Sequence, residues 1–563
     1  MDGRRPAPLH LPAMTAESDL PDAARRRALR RVAAGALALV PPSRLFAVGS
    51  DAGAGDLCVE PSTFSRTLPT NAADRWFAPL RIDCGPRELA AATRDTGSRI
   101  GPSLAFLARD GSRELVNPTL VAARGASVAI SLRNDLDEPT VTHWHGLTMD
   151  TRNDGNGESL IAPGGRFDYR FTVHNRAGLY WYHPHPHGAT ARQAHQGLFG
   201  LLAIEDDEES ALRRALELVP GETEIPLVLH EARRTAPGRY APRPDDLRLG
   251  WFGDVPLVNY TPCPHLDVAT RRYRLRILNA ANARTFRLRL RSDDGALLPF
   301  QLLGTDGGLL EQAVRCTEVF VSPAERIDVL VDFSAIGVGG FVLLESGAFD
   351  PMHAVPGTAP EESASARPAA MEGVHGGKPG GDPVAAPRLR EGAAFPVMQF
   401  SVRERRSPSP APPARLSEPV AQRRGGDDDR PLRLGFAKGL WRINDRVYDA
   451  TTTPIVVARA AAETWLLRNY HTSTPHAMHL HGFQFRVLGR ETSPDQLAPL
   501  VVDAQGRLAT DLGWKDTVLV WPGESVRIAI DFRHPFADEQ VYLVHCHNLE
   551  HEDAGMMLRV RVG

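Results

Sequence analysis

The segment His545-Cys546-His547-Asn-Leu-Glu-His551-Glu-Asp-Ala-Gly-Met556 is the most specific chemical signal in this 563-residue chain. On an extended backbone, side chains alternate between faces, so Cys546 points one way while His545 and His547 point the other. A thiolate on one metal would then be joined, through a few covalent bonds, to imidazoles on a second site. One Cys with two His and a Met is the ligand set of a blue-copper electron-transfer site, where the weak axial thioether helps to set the potential. His476, Cys546, His551 and Met556 supply that set. Structural zinc fits less well, because its sites use two or more cysteines and Cys546 has no CxxC partner.

Three further clusters repeat histidine at alternate positions: His143-Trp-His145-Gly146, Trp181-Tyr-His183-Pro-His185-Pro-His187-Gly188, and Pro475-His476-Ala-Met-His479-Leu-His481-Gly482. Histidines at i and i+2 of a strand share a face and can present two imidazoles to one metal cluster. In the second cluster Trp181 and Tyr182 should anchor the segment inside the fold. In the third, His476 stands three residues ahead of the alternating pair and can serve a different metal.

Strands are the elements that would position these side chains. Short runs rich in Val, Leu, Ile and Phe recur between Gly, Pro, Asn and Asp turns. Ser127–Arg133, Phe167–Val173, Arg274–Leu278, Arg326–Phe333 and Ser525–Phe532 alternate polar and apolar residues in part, so each buries one face. Pro163–Phe171, Ser322–Phe333 and Trp521–Phe532 resemble one another, a turn with Pro followed by a strand, which indicates a repeated all-β sandwich domain. A helix is expected over Asp206–Val219, with acidic residues at its start and Pro220 at its end, marking the first domain junction. The stretches at about 350 to 394 and 402 to 431 are rich in Ala, Pro, Gly, Arg and acidic residues and read as surface insertion and linker.

With 42% apolar residues, 24% charged residues and a formal net charge of -3, the composition is that of globular domains, not of a nucleic-acid binder or a disordered chain. The beginning differs: Arg25, Arg26, Arg27, Arg30 and Arg31 precede the apolar run Val32–Val40, which ends at Pro41 and Pro42. That is the order of an export signal, with an Arg-Arg pair resembling a twin-arginine signal. The run is well short of the ~20 residues that span a bilayer, so no transmembrane helix is expected. An oxidising compartment would permit disulfides such as Cys58 with Cys84 and Cys263 with Cys316, the connectivity staying open.

The four histidine clusters, in this order, resemble those of the multicopper oxidases, the family of laccases, cuprous oxidases and bilirubin oxidases, over about residues 56 to 563. The resemblance implies three cupredoxin-like Greek-key β-sandwich domains, at 56–207, 222–401 and 432–563, with an export segment and flexible N-terminus at 1–55, a helical linker at 208–221 and a linker at 402–431. It implies four copper ions and no other cofactor. The type 1 copper in the third domain would take His476, Cys546, His551 and Met556. The type 2 copper would take His143 and His479, and the type 3 pair His145, His183, His185, His481, His545 and His547. Substrate electrons would enter at the type 1 site, pass by Cys546 to His545 and His547, and reduce dioxygen to water, four per molecule. Asp154 and Glu552 match the positions where similar enzymes place the acids that deliver protons. His187, and likewise His174, His195 and His471, match no ligand position.

The implied partners are dioxygen and a small reducing substrate, a phenol, an aromatic amine or a metal ion, with no nucleic acid; the enzyme is expected as an exported monomer, periplasmic or extracellular. Cuprous oxidases of the family carry a methionine-rich insertion before the third motif, thioether sulfur suiting soft Cu(I). Here the insertion offers Met352, Met371, His353 and His375, and Thr472 and Thr474 stand where those enzymes carry an acid and a methionine. This departure favours a laccase-like oxidase of phenols or aromatic amines, with Cu(I) or Mn(II) oxidation as the alternative. A copper nitrite reductase would lack the paired type 3 histidines, and a non-catalytic copper-binding relative would lack a ligand cluster.

Overall fold

The computed structural model describes residues 64–69, 77–94, 103–233, 239–353, 389–423, 425–426 and 429–563. The export segment, Cys58, Met371, His375 and the centre of the insertion lie outside the described residues. These residues form six sheets that face one another in pairs, giving three cupredoxin-like sandwiches.

The alternating stretches are strands within one or two residues of their expected bounds. Ser127–Asn134 shows the pattern, every second side chain buried and those between facing outward. Ile130 and Leu132 from this strand meet Leu120, Trp144 and Leu202 from the facing sheet in the first core. The middle core gathers Leu275, Ile277, Val329 and Val331 from one sheet with Leu288, Leu344 and Phe400 from the other. The third gathers Leu467, Ile528 and Ile530 with Met478, Val544 and Cys546. Burying an aliphatic side chain contributes about 1.5–3 kcal/mol, so the alternation holds each register firmly.

Two connections depart from simple succession. Strand Arg66–Thr67, close to the start of the described chain, pairs with Pro264–Ala269 on the middle sandwich. The helix after the first sandwich runs over Asp207–Ala215, capped by Asp206, whose side chain accepts from the Glu209 amide. Its Leu212 packs with Leu309, Leu330 and Leu416, the last from the 402–431 stretch, which lies along the middle sandwich.

The cysteines depart from both pairings suggested above. Cys84 and Cys316 carry free thiols, and Cys263 is disulfide-bonded. Cys84 is exposed, its thiol 3.5 Å from Asp83 Oδ1, while Cys316 ends a strand with its thiol toward the Val314 carbonyl.

Candidate metal centre

Strand Thr142–His145 pairs antiparallel with Gly178–Pro184, placing His143 opposite His183 and His145 opposite Trp181. The intervening Trp144 and Tyr182 enter the first core, so the same alternation aims the histidines outward, toward the third sandwich. The third sandwich mirrors this. His476–Leu480 pairs with Gln540–Cys546, Met478 opposite Cys546 and His479 opposite His545. Met478 and Cys546 belong to the core, and His479 and His545 to the opposite face.

The two faces bring eight histidines together. Donor atoms of His145, His183 and His547 lie within 4.8 Å of one another, as do those of His185, His481 and His545, and those of His143, His145 and His479. The six expected type 3 histidines thus separate into two triads, each drawing on both sandwiches. The rings of His143 and His481 stack at 3.7 Å between centroids, as do those of His145 and His479.

Tautomers follow from partners that can only accept. Nδ1 of His143 donates to the Asp154 carbonyl at 2.7 Å, that of His479 to the Asp516 carbonyl at 2.7 Å, that of His183 to the Pro184 carbonyl at 2.9 Å and that of His545 to the Cys546 carbonyl at 3.1 Å. Each of these rings then keeps its Nε2 lone pair for a metal. His145 is reversed: its Nε2 donates to Asp516 Oδ1 at 3.0 Å, leaving Nδ1 toward His183 Nε2 at 3.3 Å.

This donor set fits copper. Nε2 of His143 and His479 and both ring nitrogens of His185 and His547 are buried without a hydrogen-bond partner, a costly arrangement unless a cation takes the lone pairs. Burial lowers the imidazole pKa values, to about 3 at His183 and about 4 at His479, so the rings are neutral, the state that ligates.

The second cluster is the predicted blue-copper set. Cys546 Sγ lies 3.4 Å from His476 Nδ1 and 3.7 Å from His551 Nδ1. Met556 is buried in the same core, and its carbonyl accepts from the Cys546 amide at 3.1 Å. Burial pushes the Cys546 thiol up to about 12, and metal coordination is what would deprotonate it there. The Asn548 amide points at the sulfur, 3.4 Å away. Helix Leu549–Asp553, capped by the Asn548 side chain, carries His551 and Glu552. The Trp441 ring lies 4.7 Å from His476 and 4.6 Å from His551. Its Nε1 and His551 Nε2 both donate to the Arg248 carbonyl, at 2.9 and 3.0 Å, so the outer edge of His551 sits under main chain from the middle sandwich.

Asp154 and Glu552, expected as acids, are fully buried beside the eight-histidine cluster. Asp154 Oδ2 lies 2.8 Å from His481 Nδ1. The Glu552 oxygens lie 3.4 Å from His185 Nε2 and 3.3 Å from His545 Nδ1. Burial first, then neighbouring carboxylates, raises both well above the ordinary carboxylate range. His187 joins no triad; its ring packs on Tyr448 at 4.5 Å. His195 packs on Trp251, and His174 and His471 are exposed.

Asp516, Arg326 and Arg248 belong to no histidine motif, yet Asp516 and Arg248 hydrogen-bond to histidines of the site and Arg326 pairs with Asp516. The Lys515-Asp516 pair before strand Thr517–Val520 is the one sequence trace of Asp516, and nothing singles it out among the chain's other acidic residues.

Three cupredoxin-like sandwiches with a cysteine–histidine site joined to an eight-histidine cluster define a copper oxidase architecture. The chain matches the multicopper oxidase family models over residues 112–209 and 422–563. It is 30% identical to a laccase of Bacillus stratosphericus, covering 79% of this chain and 88% of that one. It is 27% identical to the multicopper oxidase Mco of Staphylococcus aureus, covering 80% and 82%. The structure superposes on the McoA multicopper oxidase of Aquifex aeolicus with a TM-score of 0.73 and 30% identity, over 89% of this chain and 99% of that one. This chain belongs to the multicopper oxidases, copper-dependent oxidoreductases that use oxygen as acceptor.

Proposed function

We propose that this chain is an exported, laccase-like oxidase that takes single electrons from phenols or aromatic amines and reduces dioxygen to water with four copper ions. His476, Cys546, His551 and Met556 would hold type 1 copper, and His143 and His479 type 2. His145, His183 and His547 would hold one type 3 ion, and His185, His481 and His545 the other. Copper, when bound, supplies the one-electron couple at the first site and the oxygen-reducing centre at the second.

One observation carries this reading: Cys546 sits in the core of the third sandwich while its two chain neighbours enter different triads of the eight-histidine cluster. The peptide bonds from Cys546 to His545 and His547 give the two sites a short covalent connection. Asp154 and Glu552, held as buried acids, are in place to give protons to reduced oxygen beside the cluster, and their burial excludes bulk water from competing.

The substrate class rests on the surroundings of the first site. Beside it lies a recess of about 10 Å³, room for about one water, lined by Leu249, Ala283, Pro323, Pro475 and Thr474, with Glu391 and Asn548 as polar groups. The recess is too small to hold an aromatic ring, but a carboxylate at its edge suits a phenolic hydroxyl or an aromatic amine that approaches from the surface. The laccase relative points the same way. The alternative, oxidation of Cu(I) or Mn(II), draws on a different contact: His353 Nε2 lies 2.9 Å from Glu391 Oε2, and both side chains are buried.

Oxygen uptake by the copper-loaded protein, with a phenol and with Cu(I) in parallel, tests the proposal. Uptake with the phenol, absent in Cys546→Ser, supports it. Uptake with Cu(I) alone would transfer the assignment to metal oxidation, and no uptake with either would sink the oxidase reading for these substrates.

A further inference from the structure

The middle sandwich supplies no histidine to the cluster, yet one of its side chains reaches it. Arg326 opens strand Arg326–Asp332 and is 1% exposed. A guanidinium has five N–H donors in a fixed planar fork, and here each has an acceptor. Nε donates to the Leu179 carbonyl of the first sandwich at 3.0 Å. Nη1 donates to the Ala324 carbonyl at 3.1 Å and Nη2 to the Asp306 carbonyl at 3.1 Å. The remaining two close a bidentate pair on Asp516 of the third sandwich, Nη1 to Oδ1 at 2.7 Å and Nη2 to Oδ2 at 2.6 Å.

Asp516 in turn holds two imidazoles of the cluster. Its Oδ1 accepts from His145 Nε2 at 3.0 Å, and its backbone carbonyl accepts from His479 Nδ1 at 2.7 Å. Oδ1 also takes the Thr517 hydroxyl at 3.0 Å. Behind it, Asp306 accepts from the Arg326 amide at 2.8 Å and pairs with Lys515, which also meets Glu325 at 2.9 Å. The approach is close enough to require glycine at Gly146, next to His145. A Cβ there would lie 2.4 Å from Asp516 Oδ2 and 2.8 Å from Arg326 Nη2, on a backbone with φ of +85°.

Resting on the ligand assignment proposed above, we propose that Arg326 is a positioning residue: through its fork on Asp516 it fixes the ring orientation of His145 and His479, and so makes the middle sandwich a clamp on the type 2 side of the copper cluster. Arg326 touches neither imidazole; Asp516 transmits its position. His145 gives its Nε2 to a carboxylate while its Nδ1 faces a triad partner, so its tautomer depends on where Asp516 stands. Partners that orient a ligand in this way typically alter metal affinity by roughly 10–100-fold when removed. Lysine cannot replace the arginine, because a point charge with three donors cannot reproduce a five-donor planar fork.

The test uses the full-length, copper-loaded protein and the variants Arg326→Lys, Arg326→Met and Asp516→Asn, with Arg213→Met as a control that removes the ion pairs of the helix after the first sandwich with Glu205, Glu209 and Glu224, away from the cluster. Copper per chain, resistance of type 2 copper to a chelator, the type 2 electron paramagnetic resonance hyperfine splitting and the thermal midpoint are measured for each. The expected result is unchanged type 1 absorption, an altered type 2 splitting, and loss of type 2 copper at roughly 10–100-fold lower chelator concentration in all three variants. Arg213→Met should lower the thermal midpoint and leave both type 2 readouts alone. Arg326 variants that behave like Arg213→Met would overturn the clamp; should Arg326→Met not fold, Asp516→Asn read the same way decides. A parent protein that loads copper with no type 2 signal would instead overturn the ligand assignment, and the clamp with it.

Discussion

Cys546 and His545 are adjacent in the chain and lie on opposite faces of one sheet, the thiol in the core of the third sandwich and the imidazole 5.1 Å, ring to ring, from both His185 and His481. The separation of the two metal sites is therefore a consequence of strand geometry, and the bond path between them is as short as two neighbouring residues allow. Cys546→Ser should abolish the blue absorption and substrate-driven oxygen uptake while type 2 resonance persists. A buried hydroxyl in place of the thiol should cost about 1–3 kcal/mol, read as a lower thermal midpoint. A variant that stays blue would remove Cys546 from the first site.

Glu552 and Asp154 differ in what they touch, and their variants should separate accordingly. The Glu552 oxygens approach His185 and His545 and have no hydrogen-bonded partner, whereas Asp154 approaches His481 and offers its carbonyl to His143. Glu552→Gln removes an acid and little else, so turnover should fall by roughly 10²–10⁴-fold with copper content intact. Asp154→Asn should lower turnover similarly and also alter the type 2 resonance. Anaerobic reduction of the type 1 site by substrate should stay at the parent rate in both; slowed reduction would place these residues outside proton delivery.

What was readable beforehand and what was not divides along sequence distance. Thr142–His145 and His545–His547 advertise themselves because period-two alternation puts paired histidines on one face, and Cys546 is legible because it interrupts that alternation. The grouping of the six type 3 histidines into triads is not legible in this way, since each triad joins three motifs up to hundreds of residues apart. Asp516 and Arg326 are further still from detection: they are single charged residues 190 positions apart, and the alternation that begins at Arg326 announces a strand without announcing the partner of its first side chain. Arg248 acts on His551 through its main-chain carbonyl, which any residue carries. The free state of Cys84 and Cys316 depends on what the fold brings near each thiol, which composition does not encode.

The helix after the first sandwich is tied to the middle one by buried charges. Arg274 Nη1 lies 2.6 Å from Glu209 and 3.2 Å from Glu224, and Arg213 lies 2.7 Å from Glu224. Burial would raise the Glu224 carboxyl, but the charges of Arg274 and Arg276 and the hydrogen bond from Arg213 outweigh it and hold it far below its ordinary 4.5. A folded value below the unfolded one means the unfolded chain binds the extra proton, so this stability is present above about pH 4.5 and lost as pH falls toward the folded value. Chemical denaturation at pH 7 should show Glu224→Gln destabilised by up to about 3–5 kcal/mol, because Arg213, Arg274 and Arg276 stay buried with one carboxylate fewer among their partners. The gap should narrow as pH falls below 4.5; a gap that is constant with pH would show that the ion pairs are not its source.

Gly155 ends helix Thr151–Asp154 in a left-handed conformation, φ of +73°, directly after the acid Asp154. A Cβ at this position would lie 1.9 Å from the Thr142 carbonyl and 2.8 Å from the His143 amide, inside any allowed contact with backbone that cannot yield as a side chain could. Gly155→Ala must therefore push the turn away from strand Thr142–His145, on top of about 1–2 kcal/mol for the left-handed backbone itself. The hydrogen bond from His143 Nδ1 to the Asp154 carbonyl and the contact of Asp154 with His481 both cross this gap. The displacement should consequently lower the thermal midpoint, weaken type 2 copper binding and slow turnover together, while leaving the distant type 1 absorption unchanged. Copper stoichiometry and type 2 resonance of the purified variant check this; a variant with full type 2 occupancy and an unshifted spectrum would show that the turn can relax without moving Asp154.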